Sequence, residues 1–373
     1  MKILAVIGTR PEAIKMCPLI RELKKREGVC AEICATGQHG RLFDEVAELF
    51  DIHPVCNFDL MSSVNSQEEL VGGILARLPA VLESEKPSLL LVHGDTSSAL
   101  AAALCGFWEK IPVAHIEAGL RTYKPLPFPE EFNRRAISLV ASLHFAPTES
   151  ARDNLLREGV EPERIFVTGN TGLDALKYTV TKTWHSPFAA FTEGKKTVLV
   201  TAHRRESHDI LQDMMAGIAD VSQIRHDIAL LVPAHPNPVV QETMRKIFAD
   251  LPNVKVIPAL DVATFHNLLA TSFCVLTDSG GIQEEAAALH IPTLVLRDET
   301  ERPEGVATGS LLPIGRTRES IREGFLNLLC DEALYRRMKN AQNPYGDGDA
   351  SKKIADILIS FSSANPQNSS PSP

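Results

Sequence analysis

Residues 273–285 read FCVLTDSGGIQEE, an apolar run that leads into a polar, glycine-rich turn and then into a helical pattern. This order of residue types is typical of a strand, a tight turn and the start of a helix. Gly280 and Gly281 let a ligand approach bare backbone N–H groups, and the first turn of a helix favours an anion. Acidic residues just inside the helix suit ribose hydroxyl groups. The stretch therefore predicts a nucleotide-diphosphate site.

The same alternation of apolar runs and helical patterns extends over most of the chain. Ten apolar runs stand out, at 3–7, 89–93, 113–117, 143–146, 165–168, 197–201, 229–232, 255–257, 274–277 and 293–296. Continuous apolar runs are typical of strands buried on both faces of a parallel sheet. They predict an α/β fold with two Rossmann-like doubly wound domains that face a central cleft. Ligands of such sheets bind at the carboxyl ends of the strands.

Length and breaks in the pattern set the predicted domain boundaries. A chain of 373 residues is too long for one ordinary hydrophobic core, so two domains are the default. The pattern is interrupted over 182–196, which we interpret as the linker. The predicted domains are 1–180 and 181–350. The tail, 362–373, is rich in Ser, Asn and Pro and is predicted to be disordered.

Composition excludes several classes of protein. Hydrophobic residues make up 44% of the chain and the net charge is −9, which argues against a nucleic-acid or membrane-surface partner. No apolar stretch reaches the roughly 18 residues of a membrane span, and the chain begins in a strand rather than in a signal peptide. The seven cysteines form no CxxC pair, so we expect reduced, mainly buried thiols in a cytoplasmic protein.

Two basic side chains follow the first predicted strand. Arg10 precedes a helix whose first position is Pro11, and Lys15 lies about one turn further on. Two cations at a helix start favour a phosphate or carboxylate ligand. The alternative is a pair of solvated surface residues, and these two residues alone do not separate the two interpretations.

Three carboxylates in the first half of the chain follow predicted strands or begin a predicted helix. Asp95 and Glu117 each follow an apolar strand, and a proline-rich loop over 125–129 delivers Glu130 and Arg134 into a helix. One carboxylate at a strand end is commonly a helix cap. Several that converge on a basic pocket are expected to shift one another's pKa values and to divide acid and base roles.

The second half places histidines at strand exits. His203 and Arg204 follow one apolar run and His235 follows the next. His203 suits a phosphate donor or a proton carrier, although a lone histidine is more often structural. His93, His203 and His235 raise the question of a metal, but their spacings match neither HExxH nor CxxC…H, so no metal is predicted. The absence of a P-loop and of a GxGxxG turn after the first strand weakens NTPase and dehydrogenase interpretations.

Eleven motifs together resemble those of the non-hydrolysing UDP-N-acetylglucosamine 2-epimerases, in the same order, from Met1 to about Phe361. They are GTRPEAIKM, TGQH, VHGDT, HIEAGLRT, PFPEEFNRR, TGNT, TAHRRES, HPNP, DSGGIQEEA, LRDETERPEG and NPYGDG. The resemblance implies a glycosyltransferase-B type fold, in which a C-terminal helix at about 351–361 packs back on the first domain. It also implies a homodimer that needs no cofactor.

The resemblance implies a reversible reaction between UDP-GlcNAc and UDP-ManNAc. Cleavage of the bond from carbon 1 to the UDP oxygen builds oxocarbenium character, which acidifies the proton on carbon 2. Elimination gives UDP and 2-acetamidoglucal, and UDP adds back as a proton arrives on the opposite face. Such a site needs proton-transfer groups on two faces and cations that hold the diphosphate.

The motifs carry functional positions of the family onto this chain. Five positions match family residues that transfer protons, stabilise the oxocarbenium ion, are important for activity or assist the departure of UDP: Asp95, Glu117, Glu130, Arg134 and His203. Eight further positions match family residues that contact the ligand: Arg10, Lys15, Phe265, Ser279, Gly280, Gly281, Glu285 and Arg302. Within the second set, Ser279, Gly280 and Gly281 match the diphosphate cradle and Glu285 the ribose contact. Phe265 matches the uracil neighbour but also suits a core aromatic position.

A second UDP-GlcNAc site, through which substrate activates the enzyme, is common in bacterial members of the family. Gln38, Glu130, Arg204 and His235 fit that pattern. The chain departs from it at Arg41, where a glutamine is usual, at Ser66, near where an arginine is expected, and in shortened loops before Phe128 and after Ser207. These departures predict that activation by substrate is weakened or altered.

Three alternative functions remain open from the sequence. A UDP-sugar-dependent glycosyltransferase would share the fold and the UDP site. A hydrolysing 2-epimerase would release free ManNAc and UDP. A nucleotide-sugar sensor would bind without reaction and would not need three carboxylates. The reaction implied by the resemblance would supply surface polysaccharide synthesis, and the sequence leaves the particular pathway and any substituted sugar substrate undetermined.

Overall fold

A computed structural model of the chain describes residues 1–37, 40–62, 64, 66–202, 210–234 and 238–364. The described chain forms two compact units. The first consists of Met1–Ala175 and the described residues from Gly346 onward, and the second is Leu176–Tyr345.

The first unit alternates strands and helices from its first residues. Its elements are β1 (Lys2–Ile7), α1 (Arg10–Lys24), β2 (Cys30–Ala35), α2 (Gly40–Leu49), β3 (Cys56–Asn57), α3 (Gln67–Glu85), β4 (Leu89–His93), α4 (Ser97–Trp108), β5 (Val113–Ile116), α5 (Glu130–Val140), β6 (Leu143–Ala146), α6 (Glu149–Arg157), β7 (Ile165–Val167) and the start of α7 (Thr171–Thr179).

The second unit repeats the alternation. Its elements are α8 (Ala189–Thr192), β8 (Lys196–Thr201), α9 (Leu211–Ile224), β9 (Ile228–Pro233), α10 (Pro238–Phe248), β10 (Val254–Ile257), α11 (Val262–Thr271), β11 (Cys274–Thr277), α12 (Gly280–Ala288), β12 (Thr293–Val295), α13 (Pro303–Thr308), β13 (Leu311–Pro313), α14 (Arg318–Cys330) and α15 (Glu332–Lys339). The chain then returns to the first unit with α16 (Ala350–Ala364).

Both sheets are parallel and doubly wound. The order is β3-β2-β1-β4-β5-β6-β7 in the first sheet and β10-β9-β8-β11-β12-β13 in the second. The strand order reverses between β1 and β4 in one unit and between β8 and β11 in the other. In such sheets the crevice for ligands opens at this reversal, beyond the carboxyl ends of the strands. Each unit therefore has the Rossmann-like topology that the apolar runs predict.

Burial of the strands explains why the apolar runs are continuous. All five residues of β4 and all four of β11 are buried, because helices cover both faces of each sheet. Three strands, β2, β3 and β13, were not predicted because they lack this pattern. β2 contains Glu32 and exposes Cys30, while β3 and β13 are two and three residues long and lie at sheet edges.

The predicted linker at 182–196 needs correction, because much of it packs within the second unit. Trp184, Phe188 and Phe191 lie against the cluster formed around Leu199 and Leu231. Aromatic burial of this kind is typical of a domain and not of a linker.

The last helix extends beyond its predicted end. α16 includes residues 362–364, which the sequence assigned to the tail, and it packs against α1. The Ser351 backbone N–H donates to Asp174 Oδ1 at 2.8 Å, and Arg26 pairs with Asp356 at 2.9 Å. These contacts tie the end of the described chain to the first unit.

Two further observations bear on the composition arguments. Across the described residues, no helix is both long enough and apolar enough to cross a bilayer. All seven cysteines are free thiols, and Cys30 and Cys330 are exposed rather than buried.

Candidate active site

The polar residues predicted in the first unit follow three adjacent strands. Arg10 begins α1 after β1, Asp95 lies two residues beyond β4, and Glu117 comes directly after β5. Because β1, β4 and β5 are neighbours in a parallel sheet, the three residues lie along one edge. Glu130 and Arg134 are spaced i, i+4 on α5 and so share one face of that helix.

Glu117 is held by two basic side chains. Its Oε2 atom lies 2.6 Å from Lys15 Nζ and 3.0 Å from His93 Nε2. All three side chains are largely buried. Glu117 also has a φ of +63°, which residues other than glycine seldom adopt. The sharp turn after β5 thus places the carboxylate between a lysine from α1 and a histidine from β4.

The charge on Glu117 follows from these contacts. Burial by itself raises the pKa of a carboxyl group, but the adjacent Lys15 and His93 outweigh burial and hold the Glu117 pKa well below its usual range. Glu117 is therefore ionised at neutral pH. A buried, ionised carboxylate at a strand end can stabilise positive charge that develops on a ligand.

Asp95 is paired with the helix that carries the other predicted residues. Its Oδ2 atom hydrogen-bonds with Arg134 Nη2, and its backbone carbonyl accepts a hydrogen bond from Asn133 Nδ2 at 2.9 Å. Arg134 is buried, and its Nη1 atom lies 3.6 Å from Glu131 Oε2. The structure thus brings Asp95 and Arg134 together, and Glu130 lies one turn before Arg134.

Glu12 and Glu131 support the site without having been assigned a role from the sequence. Glu12 is buried and accepts hydrogen bonds from the Gly8 and Thr9 backbone at 3.0 and 2.7 Å, and from the Thr96 hydroxyl at 2.7 Å. Glu131 accepts from the Thr122 backbone N–H at 3.0 Å. The spacing of Thr9 and Glu12 is that of a capping box, which is the signal that identifies this role.

The residues predicted to form an anion site in the second unit lie at the start of α12. Ser279 is the N-cap residue but its side chain does not cap the helix. Gly280 packs against Arg302, since a Cβ atom at Gly280 would lie 3.2 Å from Arg302 Nη2. Arg302 is in turn paired with the buried Glu284. A helix N-terminus with a fixed guanidinium beside it favours a phosphate group.

Two other predicted contacts lie nearby on the second unit. Glu285 Oε2 is 3.5 Å from His266 Nε2, and His266 Nδ1 is 2.7 Å from the Thr179 hydroxyl. Phe265 is half-buried against the core cluster. It therefore has a packing role, and its remaining exposed surface leaves it accessible to a ligand.

Four predicted site residues lie outside the part of the chain that the structure describes: Gln38, His203, Arg204 and His235. Among the described residues, no group of three or more His, Cys, Asp or Glu side chains could hold a metal ion. His93 is the residue that sequence reasoning considered only for a metal. His93 ends β4, just before Gly94 and Asp95. This position at a strand end is the sequence feature that could have predicted its contact with Glu117.

Comparison with known proteins agrees with the fold and the motifs. A family model described as UDP-N-acetylglucosamine 2-epimerase matches residues 21–359. The chain is 44% identical over 361 residues to the UDP-N-acetylglucosamine 2-epimerase of Bacillus subtilis, which covers 96% of this chain and 95% of the relative.

Solved structures resemble nearly the whole chain. UDP-GlcNAc 2-epimerase from Neisseria meningitidis bound to UDP-GlcNAc has a TM-score of 0.92 and 41% identity, over 96% of this chain and 100% of that one. The enzyme from Methanocaldococcus jannaschii in complex with UDP-GlcNAc and UDP has a TM-score of 0.84 and 34% identity, over 96% and 100% of the two chains. These likenesses confirm the predicted fold class.

Proposed function

The chain belongs to the UDP-N-acetylglucosamine 2-epimerase family, and we propose that it interconverts UDP-GlcNAc and UDP-ManNAc without hydrolysis, by elimination and re-addition of UDP. Family membership supports the epimerase class. The non-hydrolysing course is supported by the residues of the first unit, which supply charge and proton-transfer groups at one sheet edge.

The chemistry explains why these residue types are needed. Cleavage of the bond from carbon 1 to the UDP oxygen leaves positive charge on the sugar and negative charge on UDP. Loss of the proton from carbon 2 then gives 2-acetamidoglucal, and the reverse addition with a proton on the other face inverts carbon 2. The protein must stabilise both charges and move a proton at two faces.

We assign the stabilisation of the sugar cation to Glu117. Lys15 and His93 keep this carboxylate ionised, and a carboxylate with a lowered pKa is a weak base but a good partner for positive charge. Asp95 and Glu130 are then the candidates for proton transfer. Arg134 would orient Asp95 through the contact between their side chains.

We assign the UDP moiety to the second unit. Backbone N–H groups at Ser279, Gly280 and Gly281, with the Arg302 guanidinium beside them, would hold the diphosphate. Glu285 and Phe265 would contact ribose and uracil. Arg10 and Lys15 would contribute positive charge to the departing phosphate from the start of α1, and His203 would assist its departure and return.

The observation that carries this proposal is the buried contact of one carboxylate oxygen with two basic groups, Lys15 Nζ at 2.6 Å and His93 Nε2 at 3.0 Å. A nucleotide-sugar sensor has no need for a carboxylate ionised in this way. A glycosyltransferase would share the UDP site but would in addition need an acceptor.

One proton NMR time course tests the proposal against its alternatives. The purified chain is incubated with UDP-GlcNAc in deuterated water. We expect UDP-ManNAc to appear, with deuterium at carbon 2 of both sugars and UDP still attached. Accumulation of free ManNAc would support hydrolysis, and a reaction that requires an added acceptor would support a transferase. Binding without exchange at carbon 2 would support a sensor.

We further propose a homodimer that supplies surface polysaccharide synthesis, with activation by UDP-GlcNAc weakened. Gln38, Arg204 and His235, the positions that match the activator site, lie outside the described residues, so this stays a prediction from the sequence. Light scattering measures the assembly. Initial rates from UDP-ManNAc, with and without trace UDP-GlcNAc, measure the activation, and a strong dependence on UDP-GlcNAc would contradict its weakening.

A further inference from the structure

Two cysteines face each other across one edge of the first sheet. The register of β2 and β3 pairs Cys34 with Cys56, and both are free thiols. Neighbouring strands lie about 4.8 Å apart, within the Cα separation of about 4.4–6.8 Å that disulfides accept. Both side chains pack in the same apolar cluster, so they point to the same face of the sheet.

The two thiols differ in their access to solvent. Cys34 is fully buried, whereas Cys56 is half-buried. Burial, and next the neighbouring Cys56, raise the pKa of the Cys34 thiol far above its usual range. Cys34 therefore keeps its proton at neutral pH. Because the thiolate is the reactive form of cysteine, Cys56 is the sulfur that meets an oxidant first.

The position of β3 allows the backbone to adjust to a new covalent bond. β3 has two residues and is the edge strand of its sheet. Its flanking residues are attached through backbone hydrogen bonds from Val55 to Ile33 and from Phe58 to Ala35, both at 2.9 Å. A short edge strand of this kind can shift relative to its neighbour at low cost, unlike a strand in the centre of a sheet.

We propose that Cys34 and Cys56 form a peroxide-responsive dithiol, a modification site that can join β2 to β3 by a reversible disulfide. The Cys56 thiolate attacks one oxygen of hydrogen peroxide, the O–O bond breaks, and the departing hydroxide takes up a proton to become water. The product is a sulfenic acid on Cys56. The Cys34 sulfur displaces the hydroxyl group, which leaves as water with the Cys34 proton. Two thiols and one peroxide thus give one disulfide and two water molecules.

A bond at this place would brace the turns that follow both strands. The Leu60 backbone N–H donates to the Thr36 carbonyl at 3.2 Å. Gly37 is packed so closely that a Cβ atom there would lie 2.5 Å from Asp59 Cα. The two turns already contact each other, and the disulfide would join the strands that precede them covalently. This modification is independent of the epimerase reaction proposed above.

The test uses the full chain with both exposed cysteines replaced, Cys30→Ser and Cys330→Ser, so that they cannot form competing bonds. The folded protein is treated with hydrogen peroxide, alkylated without reductant, digested and analysed by mass spectrometry. We expect a peptide pair linked through Cys34 and Cys56, which dithiothreitol separates. Cys17 and Cys274 are buried, and neither lies opposite another cysteine on a neighbouring strand. They should stay free thiols, which the alkylating reagent reaches only after the protein is unfolded.

Two added substitutions test the order of events. With Cys34→Ser we expect a sulfenic acid on Cys56 that dimedone traps, since the second thiol is missing. With Cys56→Ser we expect neither the linked peptide nor dimedone on Cys34 over the same time. Absence of the linked peptide from the folded parent overturns the proposal, and dimedone labelling of Cys34 in place of Cys56 overturns the assigned roles. If a variant does not fold, the parent result decides.

Discussion

Glu117 occupies a left-handed backbone conformation, with φ at +63°, just where the chain leaves β5. For a non-glycine residue such a conformation costs on the order of 1–3 kcal/mol. This conformation directs the Glu117 side chain toward Lys15 and His93, and the contacts with them hold it in place. At the scale of single residues, the candidate site is therefore centred on one carboxylate and the two side chains that lower its pKa.

Replacement of Glu117 by glutamine should remove the charge while keeping the shape of the side chain. We expect kcat to fall by about 10²–10⁴-fold, the range of a lost charge or proton-transfer group in a transition state, with little change in the Kd for UDP. Steady-state kinetics and calorimetry measure the two quantities. Glu163→Gln, at an exposed position, is the control and should leave both unchanged. Loss of UDP binding alone would contradict the role of Glu117.

His93 should act on the reaction through Glu117. His93→Ala removes the ring 3.0 Å from Glu117 Oε2, and we expect a decrease in kcat of about 10–100-fold with a smaller change in KM. His93→Gln keeps a polar group near Glu117 and should recover part of the loss. Separate determination of kcat and KM for both variants decides the matter. Equal kcat values in Ala and Gln variants that fold as wild type would exclude a role for a polar group at position 93.

At the scale of elements, buried carboxylates connect the turns between strands and helices. Glu12 joins the turn after β1 to the turn after β4, because it accepts hydrogen bonds from Thr9 in one and from Thr96 in the other. Glu131 holds the loop after β5 in a similar way through Thr122 and Tyr123. Buried carboxylates thus fix the relative positions of elements that present Arg10, Asp95 and Glu117.

Removal of the Glu12 carboxylate should destabilise the first unit. Glu12→Ala leaves two backbone N–H groups and two hydroxyl groups without their acceptor, and we expect a loss of about 2–4 kcal/mol in the free energy of unfolding. Urea titration followed by circular dichroism measures it. Glu22→Ala on the same helix removes surface ion pairs with Lys25 and Arg26 and should cost less than about 1 kcal/mol. Equal losses in the two variants would contradict the structural role of Glu12.

The start of α12 can be tested with a matched pair of glycines. A Cβ atom at Gly281 meets nothing within 4 Å, and the same holds for Gly72 in α3. Alanine should therefore be tolerated at both positions and raise helix stability by roughly 0.5–1 kcal/mol. If bound phosphate approaches the α12 backbone, Gly281→Ala will weaken UDP binding and Gly72→Ala will not. Unchanged UDP affinity in Gly281→Ala, measured by calorimetry, would argue against the diphosphate cradle.

At the scale of the whole molecule, buried histidines set an acid limit on stability. His115 donates from Nε2 to the Gly94 carbonyl at 2.7 Å and is fully buried, as is His144 on the neighbouring strand. Burial lowers the pKa of His115 to about 3 and that of His144 to about 4. Both are neutral in the folded protein at pH 5, whereas in the unfolded chain they take up protons below about pH 6.5.

Stability of the first unit should therefore fall on mild acidification. Between pH 6.5 and 4 the unfolded state binds more protons, so each histidine lowers the free energy of unfolding by up to about 1.4 kcal/mol per pH unit. Carboxylates such as Asp227, whose pKa is lowered to about 2 chiefly by Arg225, act only at lower pH. Urea unfolding from pH 7 to 5 measures the slope. His144→Gln should reduce it, and the exposed His53→Gln should not; a flat profile would contradict buried neutral histidines.

Much of the architecture was readable in the chain itself. Continuous apolar runs predicted ten of the thirteen strands in the described residues, because a strand covered on both faces must be apolar throughout. The FCVLTDSGGIQEE stretch predicted both β11 and the start of α12. The edge strand β3 was missed because two residues are too few to show a period, and β2 because Glu32 interrupts its apolar run. The edge strand β13 ends in Pro313, a residue that argues against a strand.

The sequence by itself determined which residue types follow each strand, since turn chemistry and apolar runs are local properties of the chain. Tertiary structure alone decided their partners. Lys15 and Glu117 are 102 positions apart, and Asp95 and Arg134 are 39 apart. Those pairs form because the strand order brings β1, β4 and β5 side by side, and the distances that set the charge of Glu117 exist only once the sheet has assembled.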